Sequence, residues 1–207
     1  MLSSHPDSGD RGVARTRFLL LGCSLLGCSL LGLVLTSSAT LAKNLHLIEE
    51  LPNGFAIYRS GKTSAEDLAE FRKLGISEIV VLSGNAEDHE FKYLDAHPDL
   101  RVVYNEEQSH KYLPSNDFLD WFDAWVEEAR RVGKKIAFRC NCGCHRTGRL
   151  AAYYQMKWQN MTYADVLIIM KKYGSRMSFY KHLDDQVKTL QQRIQAQRAV
   201  VPVEAGP

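Results

Sequence analysis

The chain has 207 residues, of which 45% are hydrophobic and 24% are charged; this is a globular composition, and it excludes a largely disordered chain. The formal net charge is only +2, yet residues 43–132 hold 10 Lys and Arg against 18 Asp and Glu, and residues 133–207 hold 13 against 4. This asymmetry is either incidental surface decoration or a basic face that receives an anionic ligand. No aromatic platform is interleaved with the basic residues, so no nucleic-acid partner is predicted.

Residues 1–42 have the pattern of a secretory signal. Three arginines precede an uncharged apolar run at residues 18–35, and small residues follow up to Ala42. We predict cleavage after Ala42 and export to a periplasm or to the exterior, with a retained membrane anchor as the alternative because the run is long enough to span a bilayer. Cys23 and Cys28 each end a Leu-Leu-Gly-Cys stretch that resembles a lipoprotein processing site, but apolar sequence continues past both, which argues against lipidation.

Residues 43–198 are the predicted folded domain, and residues 199–207 are a predicted loose tail. Strands are predicted where short runs are rich in β-branched and aromatic residues, at 55–60, 76–82, 100–104 and 136–140. Helices are predicted where apolar residues recur three and four positions apart, at 64–74, 87–96, 115–129, 146–158, 162–173 and 178–196. Ser64, which begins a capping-box pattern, and Ser115 are the predicted N-caps of two of them.

This alternation predicts an α/β fold with a central, mostly parallel sheet of four to five strands and helices on both faces. Ligands of such sheets bind at the carboxyl ends of the strands, and Cys140 lies at one of these ends. Trp121 and Trp125 are interpreted as part of the core, with a dimer contact as the alternative, and a monomer is predicted.

Three cysteines follow the leader, at positions 140, 142 and 144. A disulfide framework spreads its cysteines along the chain, whereas these three lie within five residues. His145 follows at once, but zinc ligands are usually spaced more widely than this, and so short a loop cannot easily surround a tetrahedral ion. We therefore predict neither a metal nor a cofactor.

The segment from Cys140 to Arg146 joins a strand to a helix. A tight turn there, helped by Gly143, directs successive backbone N–H groups into one hollow next to a helix N-terminus, which is an arrangement that binds phosphate. The same field should lower the pKa of the Cys140 thiol, and Arg146 can grip two phosphate oxygens at once. The predicted phosphate-binding residues are Asn141, Cys142, Gly143, Cys144, His145 and Arg146.

A strand that ends in Cys-x5-Arg, with glycine three residues after the cysteine, resembles the signature of the cysteine-dependent protein tyrosine phosphatase superfamily. The closer resemblance is to the atypical dual-specificity phosphatases of plants and fungi, and it spans roughly residues 55–174. It rests on four stretches: Cys-Asn-x-Gly-x-His-Arg-Thr-Gly at 140–148, Gln-Asn-Met-Thr at 159–162, Tyr-Arg-Ser-Gly at 58–61 and Leu-Gly-Ile at 74–76.

The resemblance implies a two-step reaction. Cys140 would attack phosphorus to form a phosphocysteine, and water would then release phosphate. Arg146 and the loop amides would bind the equatorial oxygens more tightly in the transition state, and Thr147 would assist departure of the thiolate. The loop and the arginine would supply the positive field without a metal.

Arg139 departs from the family pattern, because relatives usually carry histidine before the nucleophile. One interpretation is that a buried Arg139 favours the Cys140 thiolate and lies at the edge of the site. The other is that it only pairs with an acid from the negative half of the chain.

The general acid is predicted from the loop before the helix that Ser115 caps. In relatives it is usually an aspartate a few tens of residues before the cysteine. Here Glu106 and Glu107 are the candidates, and an exposed acidic loop is the alternative interpretation of both. His110 and Lys111 could instead contact the substrate.

Cys142 and Cys144 are interpreted as small loop residues, with reversible disulfide protection of Cys140 as the alternative. The predicted substrate rim, a set of basic residues around the site, is Arg139, Arg149, His110, Lys111, Lys171 and Lys172.

This rim suits a ligand with several phosphates, and the plant and fungal relatives act on inositol polyphosphates and pyrophosphates. The first hypothesis is therefore an exported inositol-polyphosphate phosphatase. The second is a dual-specificity protein phosphatase acting on phosphotyrosine or phosphoserine/threonine, although no clear counterpart of a deep phosphotyrosine slot is found. The third is a catalytically weak module that binds phosphorylated ligands.

Overall fold

The computed structural model of the protein describes residues 44–174 and 177–200. The predicted leader at residues 1–42 and residues 201–207 of the predicted tail lie outside these ranges. Within them, no helix is long and apolar enough to cross a membrane.

Five strands and six α-helices follow one another along the described chain. The strands are β1 (His46–Glu50), β2 (Ala56–Ser60), β3 (Ile76–Val81), β4 (Arg101–Asn105) and β5 (Lys135–Arg139). The helices are α1 (Ala65–Lys73), α2 (Asp88–Asp95), α3 (Asn116–Val132), α4 (His145–Trp158), α5 (Tyr163–Tyr173) and α6 (His182–Val200), with a 3₁₀ turn at Met177–Phe179 before α6. The Ser64 and Ser115 side chains accept the N–H groups of Asp67 and Phe118, each at 3.2 Å, so both predicted N-caps are confirmed.

The sheet has the strand order β1-β2-β5-β3-β4. Strand β1 is antiparallel to β2, and the other neighbours are parallel. The predicted α/β fold with a mostly parallel sheet is therefore confirmed. Strand β1 was not predicted, because its sequence, His-Leu-Ile-Glu-Glu, is half polar and it pairs with only one neighbour at the edge of the sheet.

Helices cover both faces of the sheet, as predicted. Alternate strand residues point to opposite faces, so Ile57, Val80 and Phe138 belong to one buried cluster and Tyr58, Ile79 and Ala137 to the other. Helices α1 and α2 cover the second face through Leu68, Phe71 and Leu94. Helices α3 to α6 cover the first face through Phe122, Tyr153, Val166 and Leu190, among others.

The Trp121 and Trp125 side chains are half-buried and pack against the first cluster. The indole N–H of Trp125 donates to Glu78 Oε2 at 2.6 Å. Both observations favour their interpretation as core residues. The monomeric state stays a prediction.

Helix α6 continues to Val200 and so includes the first two residues of the predicted tail. Its last described turns are attached to the body of the domain. Ile194 is buried, and Arg198 Nη2 donates to the carbonyls of Met156 and Lys157 at the end of α4, at 3.1 and 3.0 Å.

Candidate active site

The Cys140 loop, residues 140–144, lies at the carboxyl end of the central strand β5. Ser60 of β2 and Val81 of β3 pair with Arg139, the last residue of β5, from either side. The loop therefore leaves the sheet between two parallel neighbours, and α4 begins directly after it at His145. This is the position at which open α/β sheets bind their ligands.

Gly143 allows the sharp turn of this loop. Its φ is +68°, in the left-handed region that glycine adopts at little cost. A Cβ here would lie 2.7 Å from the Gly61 nitrogen and 2.8 Å from the Ser60 carbonyl oxygen. A larger residue would therefore require the backbone to move.

Hydrogen bonds from outside the loop fix its carbonyl groups. The carbonyls of Asn141, Cys142 and Gly143 accept from the Lys62 N–H at 3.1 Å, the Asn44 amide at 3.3 Å and Arg59 Nη2 at 2.5 Å, respectively. Because the C=O and N–H of a trans peptide point in opposite directions, the N–H groups of residues 142–144 turn to the inner side of the loop. Such a nest of amides binds anions.

The Cys142 thiol lies within this nest. Its sulphur accepts the Cys144 N–H at 3.1 Å and lies 3.9 Å from His145 Nδ1. It also donates a hydrogen bond to the Cys140 sulphur, which raises the pKa of Cys142 and keeps that thiol protonated. A phosphate that binds the nest would replace the Cys142 sulphur at the Cys144 N–H.

Cys140 has the environment of a nucleophile. The hydrogen bond from the Cys142 thiol is the largest cause that lowers the pKa of Cys140; burial opposes it, and the Thr147 hydroxyl and N–H and the charge of Arg146 lower the pKa further. The Thr147 hydroxyl is buried and has no hydrogen-bond partner among the described residues, so the hydroxyl is available to the Cys140 sulphur. We expect Cys140 to be a thiolate at neutral pH.

The Arg146 side chain is 13% exposed and lies beside the same nest. Its Nη1 donates to the Leu82 carbonyl at 3.3 Å and lies 3.5 Å from Glu107 Oε1. These two contacts involve one nitrogen of the guanidinium, so the remaining donors of the planar fork can serve a phosphate.

A cavity of about 240 Å³ brings these groups together. Its lining residues are His110, Cys140, Asn141, Cys142, His145, Arg146 and Tyr180. A larger cavity of about 760 Å³ lies near the end of α6, but none of its described lining residues is a cysteine or a histidine. The presence of a thiol with a lowered pKa beside an amide nest and a guanidinium, rather than volume, makes the Cys140 cavity the candidate active site.

The structure corrects the predicted rim at Arg139 and Arg149. Arg139 is 0% exposed, and its Nη2 lies 2.7 Å from both carboxylate oxygens of Glu90 on α2. Arg149 is also buried; it donates to the carbonyls of Tyr112 and Ser109 and to the Gln186 side chain. Arg139 therefore pairs with an acid from the negative half of the chain, and Arg149 ties the loop before α3 to α6.

The predicted rim lysines are exposed and do not line the Cys140 cavity. Lys111 lies close enough to His110 for its charge to contribute to the lowered pKa of that histidine. Lys171 and Lys172 are at the end of α5. Lys172 lines a different cavity, behind the loop.

The acid candidates occupy different places. Glu106 is exposed and accepts from the Tyr104 hydroxyl at 3.2 Å. Glu107 is 73% exposed and ion-paired with Arg146. His110 lines the cavity, and its carbonyl accepts from His182 Nε2 at 3.0 Å. Burial lowers the pKa of His110, and nearby positive groups, Arg146 first, lower it further.

Four residues near the site were not predicted as site residues. Tyr180 stacks on His145 with ring centroids 3.7 Å apart, and Asn85 Nδ2 donates to Asn141 Oδ1 at 2.8 Å. Arg59 and Asn44 hold the loop carbonyls. Arg59 belongs to the Tyr-Arg-Ser-Gly stretch, which was a usable signal, whereas nothing in the local sequence indicates the place of the other three.

The three described cysteines are free thiols. Within residues 44–174 and 177–200, no group of three or more His, Cys, Asp and Glu side chains is arranged to hold a metal ion. That the protein needs no metal stays a prediction.

No family model matches the chain, and no curated protein matches it. Several solved structures match the chain. TpbA of P. aeruginosa is 21% identical over 67% of this chain and 86% of its own, with a TM-score of 0.53. Its cysteine-to-serine variant, solved with phosphotyrosine, is 19% identical over 67% and 85% of the two chains, with a TM-score of 0.54. The core catalytic domain of the PP-IP phosphatase SIW14 from S. cerevisiae, solved with citrate, is 20% identical over 80% and 98%, with a TM-score of 0.56.

These proteins are cysteine-dependent tyrosine and dual-specificity phosphatases. Likenesses at 19–21% identity establish the fold, because one fold can host different activities. The predicted resemblance is thereby confirmed at the level of structure: the chain has the fold of the cysteine-dependent tyrosine and dual-specificity phosphatases.

Proposed function

We propose that the protein is a metal-independent phosphatase that hydrolyses phosphate monoesters through a phosphocysteine, with inositol polyphosphates as its substrates. The observation that carries the proposal is the convergence of the Cys140 thiolate, an amide nest and the Arg146 guanidinium on one cavity. Nucleophile and positive field then meet at one phosphorus atom, as phosphoryl transfer requires.

In the first step, Cys140 Sγ attacks phosphorus, the bond from phosphorus to the leaving oxygen breaks, and that oxygen takes up a proton. The inner N–H groups of the loop and Arg146 hold the three equatorial oxygens. In the second step, a water oxygen attacks phosphorus, the water gives one proton back to the group that protonated the leaving oxygen, and the S–P bond breaks. The released thiolate is again stabilised by Cys142 and Thr147, which lower the pKa of Cys140.

The choice of inositol polyphosphates rests on charge and on one structural neighbour. Arg146 lines the cavity and Lys111 lies beside it, so both charges are positive, and His110 and His145 add ring nitrogens that can bond to phosphate oxygens. The neighbouring SIW14 is a PP-IP phosphatase. The second candidate is a phosphoprotein phosphatase. It is favoured by the aromatic wall formed by Tyr180 on His145 and by the phosphotyrosine complex of the TpbA variant.

We expect kcat/KM for phosphate release to be at least about tenfold higher with inositol polyphosphates than with phosphopeptides, because each additional phosphate meets further positive charge. The measurement is phosphate release by the purified protein from phytate, an inositol pyrophosphate, and phosphotyrosine and phosphoserine peptides. Faster turnover of the peptides would transfer the assignment to a protein phosphatase. Tight phytate binding without release from any substrate would instead leave a binding module.

His110 in its protonated form is the proposed proton donor to the leaving oxygen, with Glu107 as the alternative. Because burial and the charge of Arg146 lower the pKa of His110, the proton-donating form of the enzyme is the form present at acidic pH. Replacement of His110 by Gln is expected to lower kcat about 10²-fold on an alkyl phosphate and to have little effect on dinitrophenyl phosphate, whose leaving group needs no proton. The matched control is Glu107→Gln, which changes a neighbouring side chain that is already paired with Arg146. A selective loss on the alkyl phosphate in Glu107→Gln, and not in His110→Gln, would make Glu107 the acid.

A further inference from the structure

A second cavity, of about 190 Å³, lies behind the Cys140 loop between β1, β2, α4 and α5. Its polar lining residues are His46, Arg59, Gln155, Lys172 and Tyr173. It shares no described lining residue with the Cys140 cavity. Its volume of about 190 Å³ has room for a small ion.

Arg59 is the unusual residue of this cavity. It is 2% exposed, yet its Nε and Nη1 have no hydrogen-bond partner among the described residues. Its Nη2 donates to the Gly143 carbonyl, and its guanidinium lies 5.2 Å from the centroid of the Tyr173 ring. Burial lowers the pKa of Arg59 more than the charge of the Cys140 thiolate raises it, so a further negative partner would stabilise the buried guanidinium.

Lys172, the other charged residue among the described lining residues, has the same sign as Arg59. Lys172 Nζ lies 5.1 Å from the Tyr173 ring centroid. Burial lowers the pKa of His46, and the charges of Arg59 and Lys172 lower it further. No Asp or Glu is among the described residues that line the cavity. The cavity therefore has a positive potential that no lining carboxylate offsets.

We propose that this cavity is a binding site for a small oxyanion of the size of inorganic phosphate. Lys172 and Arg59 would supply the charge, and His46 and the Gln155 amide would supply further hydrogen bonds. This binding does not depend on the protein's being a phosphatase.

Occupancy of the site would reach the Cys140 loop by two direct contacts. Arg59 holds the Gly143 carbonyl at 2.5 Å, and an anion would compete for that guanidinium. His46 Nε2 lies 3.0 Å from Asn44 Oδ1, and the Asn44 amide holds the Cys142 and Gly143 carbonyls. If the proposed function holds, the bound anion would therefore inhibit turnover without competing with the substrate.

The test is calorimetric titration of inorganic phosphate, and separately of sulfate, into the full chain. The background is Arg146→Ala, which removes the guanidinium of the Cys140 cavity. One binding event should remain. Adding Lys172→Glu should weaken it by at least about tenfold, because a carboxylate would then face the anion. Adding Lys171→Glu, the matched charge reversal at the neighbouring exposed position, should leave it unchanged.

Loss of all binding in Arg146→Ala alone would overturn the proposal. Equal weakening of binding by the two lysine replacements would also overturn it, because the anion would then be attracted by general surface charge rather than bound in the cavity. A circular dichroism spectrum identical to that of the parent would exclude misfolding of the variants as the cause. Phosphate release by the parent protein is a separate measurement, so failure of this site and failure of the proposed activity are distinguishable.

Discussion

Replacing Cys140 with serine is expected to reduce phosphate release by on the order of 10⁴-fold or more, the scale seen when a covalent nucleophile is removed. The thiol is ionised by the Cys142 and Thr147 hydrogen bonds and by Arg146, which lower the pKa of Cys140. These contacts cannot ionise a serine hydroxyl, which is a far weaker acid. The measurement is phosphate release, together with mass spectrometry of acid-quenched enzyme, which should find phosphocysteine in the parent only.

The control for this experiment is Cys142→Ala, which removes a thiol two residues away. It should retain activity, but the loss of the hydrogen bond would raise the pKa of Cys140. Since kcat/KM reports the ionisation of the free enzyme, its acidic limb should move to higher pH. Undiminished turnover by Cys140→Ser would refute the mechanism, and an unmoved acidic limb in Cys142→Ala would show that Cys142 does not set the ionisation.

Glu90→Gln is expected to lower the free energy of unfolding by about 3–5 kcal/mol, because it leaves the buried guanidinium of Arg139 without a countercharge. Both carboxylate oxygens of Glu90 lie 2.7 Å from Arg139 Nη2, and the same carboxylate accepts the Glu87 N–H at the start of α2 and the Thr63 hydroxyl. The measurement is the urea midpoint and slope at neutral pH.

Glu128→Gln is the matched control, because it removes the same carboxylate from an exposed pair with Arg131. Its unfolding curve should coincide with that of the parent. The double replacement Glu90→Leu with Arg139→Met should recover most of the stability, since an apolar pair of similar size needs no countercharge. If Glu90→Gln were as stable as Glu128→Gln, the buried pair would not contribute as argued.

Most helices and strands could be predicted because helix caps and the spacing of apolar residues depend on neighbouring residues in the sequence. The Ser64 cap and the apolar spacing of α1 are contained in a few adjacent residues. Strand β1 was missed because its half-polar edge sequence becomes a strand only by pairing with β2. Contacts between residues far apart in the sequence could not be predicted from local patterns either. Arg139, for example, pairs with Glu90, which lies 49 positions away.

The part of the candidate site whose residues are adjacent in the sequence could be predicted. The Cys140 loop and Arg146 lie within one turn and the following helix, so the sequence determines that they meet. Tyr180 reaches the same cavity through the packing of α6, and Arg149 was expected at the surface but is buried under the loop before α3. Which residue faces the cavity depends on packing between segments that the sequence pattern does not specify.

The position of β5 within the strand order has a further consequence for motion. β5 has a hydrogen-bonded neighbour on each side, β2 and β3, whereas β1 and β4 lie at the edges. Fraying begins at edges, and backbone amides in a central strand exchange with solvent only through opening close to global unfolding. The loop that follows Arg139 is therefore attached to the slowest-exchanging part of the sheet, and partial opening of the edge strand β4 would leave the pairing of β5 with β2 and β3 intact.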